Sequence, residues 1–248
     1  MVVMTYIKKN LKLLIIVFAR SEKEAVAKTI DSLFRALKDC SMNYKVVYID
    51  DFSEDASVDF LRTSPHYLNG FFDILEKEPS DLPGIKFCLE KVMRIYPSDQ
   101  VLPIPGHFMF DSDSIKQVLS RISSGVVVIG YRTNLFRSRP IVKFIAAKLF
   151  LWICKIFFSP YKIKDPHGLN SYPTMVVESA FQLMTSHENH ILPIALALKN
   201  GLLVVNVPVE VRCEHKREGN RKNVPKITDV LDSINNLLLA RKILKNKN

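Results

Sequence analysis

Short apolar runs and stripes of helical period alternate along the first half of the chain. Leu11–Ala19 is an almost unbroken run of Leu, Ile, Val and Phe, the pattern of a strand buried on both faces. Ser21–Lys38 repeats Ala25, Ile30, Leu33, Phe34 and Leu37 at helical spacing, with Ser21 placed to cap it and Glu24 three residues later. The same reading gives strands over Lys45–Ile49, Phe71–Glu76, Gln100–Pro103 and Val126–Gly130, and helices over Ser57–Arg62, Pro83–Ile95 and Ser112–Ser123. Beyond Arg132 it predicts a long apolar helix over Arg137–Phe158, an irregular turn at Lys164–Pro173, a helix over Met175–Met184, a strand over Val204–Val211 and a last helix from about Ile227 to Lys245. Strands and helices in this alternation build an α/β fold, a mostly parallel central sheet with helices on both faces. Ligands of such sheets sit beyond the carboxyl ends of the strands. That places Asp50, Asp51, Pro105, Gly106, His107 and Arg132 along one crevice.

Composition narrows the class. The chain has 248 residues and is 48% hydrophobic, enough to bury a sizeable core and to exclude wholesale disorder. Its cysteines, Cys40, Cys88, Cys154 and Cys213, form no CxxC pair, which argues against a thiolate zinc site and fits a reducing compartment. A net charge of +10 asks for an anionic partner. Nucleic acid is the weakest choice, because the chain has no aromatic–basic repeat, GXXG clamp or zinc-finger spacing. Leu13–Ala19 is too short for a secretory signal, and Lys143, Lys148 and Lys155 interrupt the longest apolar stretch, so no transmembrane span is expected. With Trp152 as an aromatic anchor, that Lys-edged stretch instead reads as a helix lying on an anionic membrane surface. Packing on the sheet, or on a second copy in a homo-oligomer, is the alternative.

Asp50 and Asp51 end an apolar strand and are followed by Phe52, Ser53, Glu54 and Asp55. Paired carboxylates there accept hydrogen bonds from a nucleobase N–H and ribose hydroxyls; the plainer reading is a turn in which Asp55 caps the next helix. The stretch YIDDFSEDAS resembles the Val-Asp-Asp-Gly-Ser-x-Asp segment of family 2 glycosyltransferases. IIVFARSEKEAV is similar to their Ile-Pro-Ala-Tyr-Asn-Glu-Glu opening, GVVVIGYR to their Val-x-Gly-Ser-Arg strand, KDPHGLNSYP to Asp-x-x-Ser-Gly-Phe-Arg, and EHKREGNRK to the basic tail His-x-x-Arg-x-x-Gly-x-Ser-Lys. By that tail and by length, the dolichyl- and polyprenyl-phosphate sugar synthases are the nearest subgroup.

The resemblance implies a GT-A fold over residues 1–222, including an amphipathic helix at about 137–158, and a helical basic tail over 223–248. It implies a nucleotide-sugar site at Ala19, Ser21, Glu22, Asp50, Asp51, Pro105, Gly106 and His107, with Asp165 and Arg132 as catalytic residues. Arg139, Arg217, Arg221 and Lys222 would bind the acceptor and the diphosphate. The implied activity is inverting sugar transfer to a polyprenyl phosphate or a glycan or lipid intermediate of cell-envelope polysaccharide synthesis. The implied place is cytoplasmic, on the inner face of a membrane. One departure stands out. Where the family carries Asp-x-Asp, which holds Mg²⁺ or Mn²⁺ on the donor diphosphate, this chain reads VLPIPGHFMF. Pro105 cannot ligate, and His107 offers one imidazole, better suited to Mn²⁺ than to Mg²⁺. Two outcomes stay open: a cation held weakly through His107, or a metal-independent site in which Arg132, Arg217 and Lys222 supply the charge. A catalytically degenerate nucleotide-sugar-binding or partner subunit is the competing function.

Overall fold

The computed structural model describes residues 10–77, 85–134, 141–158, 163–183, 191–212 and 227–245. Its strands are β1 (Lys12–Ala19), β2 (Asn43–Asp50), β3 (Phe72–Glu76), β4 (Gln100–Pro105), β5 (Val126–Arg132), β6 (Leu169–Pro173) and β7 (Leu203–Val209). Its helices are α1 (Lys23–Leu37), α2 (Ser57–Arg62), α3 (Pro65–Leu68), α4 (Ile85–Ile95), α5 (Ser112–Arg121), α6 (Ile141–Phe157), α7 (Thr174–Leu183), α8 (Ile191–Lys199) and α9 (Ile227–Lys245). The strands form one seven-stranded sheet in the order β3-β2-β1-β4-β6-β5-β7. Only β6 runs antiparallel to its neighbours β4 and β5; the other pairings are parallel. The carboxyl ends of β1, β2, β3, β4, β5 and β7 therefore share one edge, and β6 enters the sheet from it.

Both faces of the sheet are covered, which is why its strands read as continuous apolar runs. Successive side chains point to opposite faces. Leu13, Ile15 and Val17 of β1 pack with Val26, Ile30 and Leu33 of α1 and Ile115 and Val118 of α5. Leu14 and Ile16 belong to the other layer, with Val92 of α4, Val176 and Ala180 of α7, and Leu192 and Ala195 of α8. Leu237, Ala240 and Ile243 of α9 are buried in that same layer. The expected mostly parallel α/β sheet is thus observed.

Three local expectations are corrected. Ser21 does not cap α1: it adopts a left-handed backbone, φ 51°, and Glu22 at the cap position makes no side-chain cap bond. The Lys23 N–H donates instead to Asp55 Oδ2 (2.8 Å) on the neighbouring loop, while Asp55 Oδ1 accepts the N–H of Ser57 (3.2 Å) at the start of α2. Leu169–Pro173, expected as part of an irregular turn, is strand β6. The third correction concerns the membrane. Phe150, Ile153 and Cys154 of α6, with Phe158 just after it, pack into the core, whereas Leu149, Trp152 and Ile156 are exposed. Among the described side chains of α6, residues 148–156, apolar groups occupy both the inward and the outward sides, without the one-sided segregation an interfacial helix needs. Among the described residues no helix is long and apolar enough to cross a membrane. The peripheral-membrane placement expected from this segment is not upheld.

Candidate functional site

The loops after β1 and β2 are bonded into one unit. The Asp51 N–H donates to the Ala19 carbonyl (3.0 Å), the Ser21 N–H to Ser53 Oγ (2.8 Å), and the Glu54 N–H to Ser21 Oγ (3.1 Å). Ser21, Phe52 and Ala56 all hold positive φ, a conformation that costs a residue with a side chain on the order of 1 kcal/mol. Strain of this kind persists only where surrounding contacts over-determine it, and it gathers at functional sites.

The two carboxylates of the double Asp have different duties. Asp50 is buried; its Oδ1 accepts the hydroxyl of buried Tyr48 (3.1 Å) and its Oδ2 the N–H of Ser53 (2.9 Å). It fixes the turn. Burial first, then the Asp50 carboxylate, push the Tyr48 phenol far up, so it stays a donor. Asp51 is partly exposed, and its Oδ1 lies 2.6 Å from Nζ of Lys77, whose side chain is only 2% exposed. Lys77 was not among the candidate residues. The register could have found it: β3 pairs with β2 so that Glu76 lies beside Asp50, which sets residue 77 opposite Asp51.

The loop after β4 is pinned from below. The Gly106 N–H donates to the Phe18 carbonyl (2.8 Å). Buried Thr29 donates through Oγ1 to the Gly106 carbonyl (2.9 Å) and accepts the Phe108 N–H (3.0 Å). A Cβ on Gly106 would stand 2.5 Å from Ala19 Cβ, so β1 and β4 can approach here only with glycine. Phe108 has φ 49°, and its ring lies under the Arg212 guanidinium, 4.9 Å from centroid to Cζ. Arg212, also outside the candidate set, follows β7 and is held to this loop by its N–H to the Met109 carbonyl (3.0 Å).

Arg132 and Asp165 come together in a closed pair. Arg132 Nε and Nη2 donate to Asp165 Oδ2 and Oδ1 at 2.6 and 2.9 Å, and the side chains are 6% and 2% exposed. Burial alone would raise the Asp165 carboxyl. The bonds and charge of Arg132, with N–H donation from His167 and Arg132, outweigh it and hold the carboxyl below the usual range. The following turn is pressed against β5, since a side chain on Gly168 would overlap the Gly130 carbonyl. His167 meets Phe150 of α6 edge to face at 4.8 Å, so α6 roofs this turn.

One edge therefore gathers Ala19, Ser21, Glu22, Asp50, Asp51, Pro105, Gly106, His107, Arg132 and Asp165. Arg139, Arg217, Arg221 and Lys222 lie outside the described residues.

Comparison of folds gives the architecture its relatives. The structure of glucosyl-3-phosphoglycerate synthase from Mycobacterium tuberculosis with UDP matches at TM-score 0.63 and 15% identity, over 96% of this chain and 82% of that one. The same enzyme with Mn²⁺, UDP and glucosyl-3-phosphoglycerate matches at 0.59 and 15%, over 95% and 81%. The chain has a GT-A-like fold. A mannosyltransferase from Pyrobaculum calidifontis with GDP-Man and Mn²⁺ matches at 0.58 and 14%, over 85% of this chain and 59% of that one. No family model matches the sequence, and neither does a curated protein. At these identities the likeness establishes the fold.

Two of those structures hold Mn²⁺. A hard cation on a diphosphate takes carboxylate and phosphate oxygens. The GT-A-like fold of this chain presents Pro105, Gly106 and His107 after β4. Asp111, the nearest following carboxylate, caps α5 by accepting the Ser114 N–H (2.9 Å) and faces Arg212 at 3.8 Å. Among the described residues no three His, Cys, Asp or Glu side chains converge. These residues do not fit a divalent-cation site.

Proposed function

We propose that this protein is a glycosyltransferase that moves a sugar from a nucleoside-diphosphate donor to an acceptor carrying a phosphate group. The observation that carries the reading is the set of interbonded, strained loops after β1, β2 and β4 at the carboxyl edge of a GT-A-like sheet. In this reading base and ribose lie against Ala19, Ser21, Glu22 and Asp51. Lys77 fixes the rotamer of Asp51, and Asp50 fixes the turn that presents it. The sugar end of the donor lies over Pro105, Gly106 and His107, and the acceptor enters beside the Asp165–His167 turn beneath α6.

The state of Asp165 bears on the acceptor. An ionised carboxylate held by both arms of a guanidinium is a weak proton acceptor. A phosphate oxygen is already nucleophilic near neutral pH and needs no base, which favours a phosphate nucleophile such as polyprenyl phosphate. The phosphoglycerate complexes among the similar structures favour a small phosphorylated acceptor. The test measures nucleoside diphosphate release from UDP- and GDP-sugars by the full chain, alone, with 3-phosphoglycerate and with a short-chain prenyl phosphate. Slow release alone, accelerated by one acceptor, is the expected result. Tight donor binding with no release under any condition would favour the second reading, a nucleotide-sugar-binding subunit. Two features support that alternative: the loop without carboxylates and the closed Arg132–Asp165 pair.

A further inference from the structure

The donor diphosphate carries charge that something must neutralise, and the residues after β4 do not make a cation site. Arg132, the natural substitute by position, is committed. Turning it toward a phosphate would break two short bonds to Asp165 and leave a carboxylate that is 2% exposed without its partner, a change that buried ion pairs resist strongly. Lys77, its side chain 2% exposed, is committed to the partly exposed Asp51 at 2.6 Å.

Arg212 differs from both. Its side chain is 53% exposed, and its ion pair among the described residues, to Asp111, is long at 3.8 Å, a contact of little strength in water. What positions it is the Phe108 ring, the residue next to His107. Phe108 stands in a left-handed backbone, its N–H donating to Thr29 Oγ1, which itself donates to the Gly106 carbonyl. The segment that carries Arg212 is tied down on both sides. The Arg212 N–H bonds the Met109 carbonyl, the Val211 N–H bonds Asn134 Oδ1 at 2.8 Å, and the Asn134 amide returns a bond to the Val211 carbonyl at 2.8 Å. Ser114 Oγ accepts the Glu210 N–H at 3.1 Å. A strained loop thus presents an aromatic shelf, and a rigid strand extension lays a guanidinium on it, beside the loop that lacks the acidic pair.

We propose that Arg212 is, among the described residues, the cation of a metal-independent diphosphate site: it binds the donor diphosphate oxygens through its planar fork, with Phe108 as its support. The proposal rests on the nucleotide-sugar reading above. Its site is the phosphate end of the ligand, away from Asp51.

Calorimetry on the full chain tests it with UDP and GDP, each against its nucleoside, in EDTA and in Mn²⁺. The wild type binds at least one diphosphate in EDTA, more tightly than the nucleoside, and Mn²⁺ changes this little. Arg212→Ala weakens diphosphate binding about 10- to 100-fold, the scale of one charge-assisted contact, and leaves nucleoside binding as it was. Arg212→Lys is intermediate. Phe108→Leu, which removes the shelf and keeps the charge, weakens the diphosphate about threefold; it carries the test should Arg212→Ala not fold. Diphosphate binding that requires Mn²⁺, or that survives Arg212→Ala in EDTA, overturns the proposal and leaves the donor reading standing. Failure to bind any nucleotide or nucleoside in either condition overturns the donor reading itself.

Discussion

Two ion pairs, Arg132–Asp165 buried at both ends and Lys77–Asp51 buried only at the lysine, separate the roles of the charged side chains, and each makes a prediction. Asp165 is held below its ordinary range by Arg132, so the pair's stabilisation is fully present above the unfolded carboxylate value near ~3.9 and is lost as pH falls through the lower folded value. Between pH 5 and 8 the wild type shows no pH dependence from it. Arg132→Met reverses the balance, because burial then raises the carboxyl. We expect about 3–5 kcal/mol of lost stability at pH 7, partly recovered at pH 5, and largely recovered in Arg132→Met/Asp165→Leu. Urea titrations at both pH values check this; equal losses at pH 5 and 7 would count against a charged Asp165. At the other pair, Asp51→Asn should weaken a nucleoside and its diphosphate alike, by about 1.5–3 kcal/mol, the range for hydrogen bonds to a charged group. A loss confined to the diphosphate would place Asp51 at the wrong end of the ligand. Cys154 gives an independent check on the interior beneath α6. Burial, and after it the Asp165 charge, push its thiol up to about 12. Alkylation at pH 8, followed by peptide mass, should therefore label the partly exposed Cys40 well before Cys154.

Elements were legible where one periodicity dominated. Ser57–Arg62 and Ile227–Lys245 appear with the predicted ends, and β1 and β2 within two residues at each end, because Leu, Ile and Val runs bounded by polar residues admit little else. Three elements escaped for physical reasons, the first being α3, whose single turn, PHYL, is too short to show a period. In β6, LNSYP, the polar Asn170 and Ser171 are buried, and Ser171 Oγ donates to Gln100 Oε1 at 3.2 Å, a partner far off in sequence, which no local pattern announces. In α8, ILPIALALK, every residue but the last is buried, so no polar stripe marks a helical period, and Pro193 falls in the first turn, where it costs no hydrogen bond. The site divided the same way. Asp51 and Gly106 were legible from strand-end position, whereas Lys77 and Arg212 needed strand register and a tertiary contact. Gly168 tests the junction of β5 and β6. Its missing side chain lets the turn close on Gly130, and overlap with a backbone oxygen cannot be relieved by a rotamer change. Gly168→Ala should destabilise by at least the 1–3 kcal/mol typical of overpacking and open the Arg132–Asp165 pair. An unchanged urea midpoint would mean that the turn is not held as described.

The last helix decides whether the carboxyl-terminal segment is an appendage or part of the core. A basic tail would leave the sheet unaffected by its removal. In the structure Leu237, Ala240 and Ile243 of α9 lie in the same buried layer as Leu192 and Ala195 of α8, which in turn packs with Ile129 of the sheet. Removing residues 227–248 therefore exposes a helix that is apolar on every side, and the loss must reach β5 and the crevice. Leu237, 3% exposed, is the gentler probe. Leu237→Ala should cost about 2–5 kcal/mol, the transfer and cavity terms together, which for a chain of this size lowers the melting temperature by roughly 4–20 °C. The single Trp152, on α6, makes the cooperativity visible. Its fluorescence reports the helix roofing the Asp165 turn, while far-ultraviolet dichroism reports the whole chain. If α9 belongs to one cooperative core, both signals shift together in Leu237→Ala and in the truncated chain. If truncation leaves the Trp152 transition in place while dichroism loses only the helix's own amplitude, α9 is an independent tail and its contacts with α8 carry no stability.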